Sequence, residues 1–142
     1  CPMRLCASPE YLKKHGTPNR VAELSNHNCL SYSLSSAQRG GTWAFGQDGK
    51  IQVPVTGNLM SNNGDALLAA AVKGQGIIYQ PNFIVSEALA SGALVAFELD
   101  HPPLDLGGLH VLFAPDRRLP LKVRAMIDYL VEVFENSPCR PS

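Results

Sequence analysis

The chain has 142 residues, with 12 Lys and Arg against 12 Asp and Glu, so its formal net charge is zero. That length fits one domain, or one lobe and part of another, and 45% apolar residues suffice for a buried core with no stretch that looks disordered. A neutral balance with scattered basic residues excludes the positive stripe that nucleic-acid binding needs, because phosphate neutralisation supplies most of that affinity.

The four cysteines, Cys1, Cys6, Cys29 and Cys139, contain no Cys-x-x-Cys pair. Their spacing points to neither a zinc site nor a disulfide framework, and no other cofactor is called for. No stretch reaches the roughly 18 apolar residues that a membrane span needs, and no signal peptide is evident. The expectation is a cytoplasmic protein with no membrane partner. Because the sequence opens on Cys1 rather than methionine, it reads as a piece of a longer protein; a lipid-bearing mature N-terminus is the other explanation for that cysteine.

In chain order, residues 2–7 form a short apolar strand. Ser8 suits an N-cap, Pro9 the first helical position and Gly16 the stop of a first helix. Thr17 and Pro18 lead into a brief helix over residues 21–24. Residues 29–33 alternate as a strand. Residues 42–46 and 50–56 flank a Gln47-Asp48-Gly49 turn and predict a hairpin, with Pro54 placing its second strand at an edge or bulge. Asn62 or Asn63 can cap a helix that runs to Gly74. Residues 77–80 follow as a buried strand, Pro81 and Asn82 open a helix that stops at Gly92, and residues 94–99 are a strand again. After a breaker-rich crossing at 101–108, residues 109–115 read as a strand and 119–134 as a helix. On that last helix Val123, Met126, Ile127, Leu130 and Phe134 make one apolar stripe. Residues 136–142 are expected to be a flexible tail. Helix, strand, helix, strand in succession predicts an α/β fold with crossover connections.

The Gly74-x-Gly76 pair invites a nucleotide-binding reading, but its polarity is reversed. A dinucleotide fingerprint puts its glycines between a strand and the following helix, where free N–H groups face the pyrophosphate. Here they follow a helix and precede a strand, and the third glycine position holds Tyr79. Gly74 fits a helix C-cap, and Gly76 a position of positive φ or close packing. Ligands in open α/β sheets sit beyond the carboxyl ends of strands. Gln80, Pro81, Asn82 and Phe83 occupy one such end; Ser61, Asn62 and Asn63 occupy the equivalent place one unit earlier. These groups suit a carboxylate or another polar small molecule, against the plainer reading that the asparagines merely cap helices and Phe83 is core.

The ordered series SPEYLKKHGTP, LSNHNCLSYS, TWAFG, VTGNLMSNNGDALLAAAVKGQGIIYQP, SEALASGALV and LPLKVRAMIDYLVEVF resembles the effector-binding domain of LysR-type transcriptional regulators, over about residues 3–135 in one register. The resemblance implies a type II periplasmic-binding-protein-like fold, a mixed sheet flanked by helices, with a small effector that can be anionic in an interlobe cleft. It implies that residues 7–101 form the second regulatory lobe, and that residues 1–6 and 108–135 are remnants of the first. DNA contact would come only through an N-terminal winged helix-turn-helix outside this chain, and a homodimer or tetramer is expected. Carried over residue by residue, the effector contacts fall on Ser61, Asn62, Asn63, Gln80, Pro81, Asn82 and Phe83, with Ser8 at the hinge. The apolar stripe of the last helix then lacks most of its sheet, so it is expected to pack on the remnant strands or on a second copy.

Two other classes compete. An extracytoplasmic solute-binding protein would share the fold logic; a signal peptide rather than a helix-turn-helix upstream would distinguish it. A serine–histidine hydrolase lacks the Gly-x-Ser-x-Gly elbow. His27 and His110 lie beside apolar runs, where a lone histidine is usually structural, and His15 suits a helix end. Glu98 and Asp100 flank a strand end without converging on a common point. Arg39 lies in a loop from which it could reach an anionic effector, although a solvated loop arginine explains it as well. Trp43 and Phe45 share one strand face and read as core. No catalytic constellation emerges.

Overall fold

A computed structural model of the chain describes residues 2–35, 38, 41–105, 107, 112 and 120–135. Seven strands and four α-helices run in the order β1 Met3–Ala7, α1 Pro9–His15, a 3-10 helix Val21–Asn26, β2 Cys29–Tyr32, β3 Thr42–Phe45, β4 Ile51–Pro54, β5 Met60–Ser61, α2 Gly64–Val72, β6 Ile77–Pro81, α3 Asn82–Ala90, β7 Val95–Phe97 and α4 Leu121–Glu135.

Five strands make one mixed sheet in the order β5-β2-β6-β1-β7. The β5, β2 and β6 strands are parallel, whereas β1 runs antiparallel to both β6 and β7. The mixed α/β class therefore matches the expectation. Met3–Ala7 form β1, which is hydrogen-bonded inside the sheet between β6 and β7. The β3–β4 hairpin forms as expected around Gly49 (φ +65°), with Pro54 on a two-stranded ribbon that has only edges. Two departures are local: residues 21–26 wind as a 3-10 rather than an α-helix, and β7 is shorter than the predicted 94–99.

Both faces of the sheet are covered, which explains why β1 and β6 read as continuous apolar runs. On one face Met3, Leu5, Ile77 and Tyr79 pack with Tyr11, Leu24, Trp43 and Phe45. On the other, Cys6, Leu30 and Ile78 meet Leu67, Ala71, Val85 and Leu94 from α2, α3 and the turn after α3. Trp43 and Phe45 are fully buried, with Phe45 stacked on Tyr79 at 5.2 Å between ring centroids. They are core, as their strand alternation indicated.

Helix α4 stands apart, with no extensive packing against another described element. Val123, Ile127 and Leu130 of its stripe are half-buried, while Met126 and Phe134 are 57% and 53% exposed. The predicted strand at 109–115 and the tail at 136–142 lie outside the described residues.

Candidate functional site

The parallel strands β2, β5 and β6 end together, so Tyr32, Ser61 and Pro81 mark one edge of the sheet. The chain enters α2 and α3 at that same edge. Asn63 is the cap of α2: its Oδ1 accepts the N–H groups of Asp65 at 2.9 Å and Ala66 at 3.3 Å, satisfying donors that the first helical turn leaves free. Ser61 Oγ in turn accepts the Asn63 N–H at 3.0 Å. Asn62 sits exposed between them.

At the second helix entry Pro81 holds the N-cap position without a side-chain cap. The Asn82 N–H donates to Pro2 O at 2.9 Å, and its Oδ1 accepts from Arg4 Nε at 3.3 Å. Phe83 is 48% exposed. The two helix starts approach closely: a Cβ on Gly64 would stand 2.8 Å from Ile84 Cδ1 and 3.4 Å from Gln80 Oε1.

A cleft of about 350 Å³ opens at this edge, lined by Met3, Tyr32, Gln38, Gln80, Phe83 and Ile84 together with Leu34, Ser35 and Pro81. Gln80 is 1% exposed, and its Nε2 has no hydrogen-bond partner. Gln38 is buried too, but its amide is engaged: Oε1 accepts the Tyr32 N–H at 2.6 Å and Nε2 donates to the Tyr79 carbonyl. Gln38 thus fixes the loop beside the cleft onto the sheet.

Of the residues expected at the site, Gln80, Pro81 and Phe83 line this cleft. Ser61, Asn62 and Asn63 gather at the neighbouring entrance of α2, and Asn82 faces Arg4. Ser8 is not brought to this group. Strand β1 runs antiparallel to β6, which puts Ser8 at the opposite end of the sheet, 3.4 Å from the position a Gly74 Cβ would take. Its buried hydroxyl is occupied in capping α1 by accepting the Tyr11 N–H at 3.1 Å. Arg39 lies outside the described residues. Tyr32, Gln38 and Ile84 were missed by the sequence reading. Gln38 carries no local signal, because its partner Tyr79 is 41 residues away.

Potential catalytic groups are absorbed elsewhere. Asp100 Oδ1 accepts the Val21 N–H at 2.8 Å, tying the end of the sheet to the 3-10 helix. His27 and His15 both lie against Tyr11. Among the described residues no three His, Cys, Asp or Glu side chains gather as a metal site, and no helix is long and apolar enough to cross a membrane.

The LysR substrate binding domain model matches residues 1–135. The chain is 29% identical over 136 residues to the HTH-type transcriptional regulator CrgA of Neisseria meningitidis serogroup B, covering 96% of this chain and 45% of CrgA. It is 36% identical over 131 residues to LtrA of Klebsiella pneumoniae, a probable HTH-type transcriptional regulator, covering 90% of this chain and 42% of LtrA. The chain thus spans less than half the length of these relatives, which are transcriptional regulators rather than enzymes. The solved regulatory domain of CrgA superposes with a TM-score of 0.70 at 28% identity, over 93% of this chain and 64% of that one. A mixed sheet covered on both faces, with a cleft where its parallel strands end, is accordingly that of a family member: this chain belongs to the LysR substrate-binding domain family.

Proposed function

We propose that this chain is the ligand-sensing part of a cytoplasmic LysR-type regulator, and that a small effector binds at the carboxyl edge of β2, β5 and β6. The observation that carries this reading is the cleft there, lined mostly by apolar side chains with the buried Gln80 and Gln38 among them. Such a lining, apolar with a few convergent polar groups, is what small-molecule sites use.

In this reading residues 7–101, extended back to Met3, are the second regulatory lobe, and residues 108–135 belong to the first. The stripe of α4 supports that division, because Met126 and Phe134 leave part of its apolar face open to a partner. The rest of the first lobe would close the cleft from above. An effector that fits the closed arrangement better than the open one shifts the lobe population. The shift would change the spacing of DNA-binding heads in a homodimer or tetramer, with α2 and its neighbouring segments as the interface. DNA would be touched only by an N-terminal domain outside this chain.

The test is made in the full-length protein, with a reporter for the promoter beside its gene and a library of small metabolites. Phe83→Arg, which fills the cleft, abolishes the response while leaving promoter binding in a gel shift intact. A variant that still responds overturns the site, and a signal peptide upstream in place of a helix-turn-helix overturns the regulator.

A further inference from the structure

The segments that lead into and out of the main sheet run side by side. Pro2, which precedes β1, forms an antiparallel bridge with Asp105, and its carbonyl accepts the Asn82 N–H at 2.9 Å. Before it reaches Asp105 the outgoing chain is fastened at two places. The Asp100 N–H donates to the Asn19 carbonyl at 3.0 Å, and Asp100 Oδ1 accepts the Val21 N–H at 2.8 Å. Further on, the Pro102 carbonyl accepts the Gly46 N–H at 2.8 Å and Pro103 forms an antiparallel bridge with Phe45. The Leu104 N–H donates to the Tyr79 hydroxyl at 2.6 Å. Leu104 also packs on the core beside the hairpin turn, with its Cδ1 3.2 Å from where a Gly49 Cβ would stand.

The sequence explains why this segment is a strap and not a third strand of the hairpin ribbon. Pro102 and Pro103 have a fixed φ and no N–H, and each holds the residue before it extended. The segment can therefore accept from the open edge of β3 but cannot continue a ladder. Between His101 and Asp105 its single N–H is that of Leu104, and a side chain takes it. Tyr79 reaches that donor from β6 at the centre of the sheet and gives its own proton to the Ala44 carbonyl in β3. Sheet, hairpin and strap thus meet at one hydroxyl. We propose that residues 100–105 are a strap braced by Tyr79 and the β3–β4 hairpin. The outgoing connection then belongs to the second lobe as far as Asp105, strap and hairpin move as one body, and the lobes pivot beyond the Pro2–Asp105 pair. This rests on the two-lobe reading and adds which element carries the connection between the lobes.

The test is hydrogen exchange read by mass spectrometry on the full-length protein, with no effector added. Peptides covering residues 100–105 and 42–54 are expected to exchange slowly and at matching rates. In Tyr79→Phe both should quicken about tenfold or more, because segments that share a brace open together. Peptides covering β2 and α2 should stay unexchanged over the same interval. Quickening at residues 100–105 alone overturns the shared brace. Quickening everywhere makes Tyr79 a general core residue and overturns it too. A disulfide supplies a second variant that leaves the core untouched. Opposed residues of an antiparallel pair have Cα atoms about 4.5–5.5 Å apart, within disulfide reach. Pro2→Cys with Asp105→Cys, in a Cys1→Ser background, should therefore close fully under mild oxidation. Closure is expected to leave exchange across α4 unchanged, since the pivot lies beyond the bridge. Failure to close, or α4 exchange that slows about tenfold on closure, puts the pivot inside the strap and overturns the proposal. Fast exchange across α4 before any crosslink would mean that α4 has no lobe to pack on. That outcome overturns the two-lobe reading, and the pivot with it, even where the brace holds.

Discussion

The Tyr79 hydroxyl accepts the backbone N–H of Leu104 at 2.6 Å and donates to the Ala44 carbonyl at 3.2 Å. One phenol thereby joins β6 at the centre of the sheet to the β3–β4 hairpin and to the segment leaving the sheet. Burial pushes its pKa up to about 12, so it remains a neutral donor throughout the working range. Tyr79→Phe keeps the ring stacked on Phe45 but strands both backbone partners. The expected cost is about 1–3 kcal/mol, read as a lower midpoint in urea unfolding. An unchanged midpoint would mean that water replaces the hydroxyl.

Gly74 and Gly76 separate two reasons for choosing glycine. Gly74 has φ +78°, a conformation that costs another residue about 1–2 kcal/mol. Gly76 has no such backbone, but a Cβ there would stand 2.2 Å from the Asn28 carbonyl oxygen, the acceptor of the Ile77 N–H. That contact is with backbone inside the β2–β6 pairing and cannot rotate away. Gly76→Ala is therefore expected to cost about 3 kcal/mol through forced displacement, distinctly more than Gly74→Ala. Equal losses in urea unfolding would show that the strands shift apart readily.

What the sequence revealed follows the range of the interactions involved. Ser8, Asn63 and Gly74 act on backbone groups within a few residues, so the ends of α1 and α2 were legible. The hairpin was legible for the same reason. Strand β5, only Met60–Ser61, exists through pairing with Ser31 and Tyr32, and no local pattern marks it. The position of β1 between β6 and β7 is likewise a long-range outcome. At the site, the helix entrances and Gln80 could be read from the strand-then-helix order. The capping role of Ser8 was legible, whereas its distance from the other expected contacts follows from the antiparallel pairing of β1 with β6, a long-range outcome.

Cys6 and Cys29 are buried in the two faces of the core, and burial pushes each thiol up to about 12. The reactive species is the thiolate, which is scarce at such a value. Iodoacetamide at about pH 8, below the ordinary thiol pKa of about 8.5, is expected to leave both unmodified in the folded chain and to alkylate both in urea. Peptide mapping by mass spectrometry checks this. Native-state labelling of Cys6 at the rate of a free thiol would show that the sheet opens between β1 and its neighbours.

Tyr11 carries the pH dependence of the opposite end of the molecule. The Asn28 N–H donates to its hydroxyl at 3.0 Å, which directs the hydroxyl proton towards His27 Nδ1 at 3.2 Å. That arrangement uses a neutral imidazole with Nδ1 as acceptor. Burial, then the nearby His15, lower the His27 pKa, with Glu23 opposing them. As pH falls, the unfolded chain therefore takes up its proton first, near the ordinary value of about 6.5. The contribution to stability is complete above that value and is lost progressively below it, until the folded state protonates as well. The thermal midpoint should thus fall between about pH 7.5 and about pH 5.5, on either side of the ordinary histidine value. In His27→Asn the amide oxygen can still accept from Tyr11 without titrating, so the fall becomes shallower. Identical slopes in the two proteins would place the acid sensitivity elsewhere.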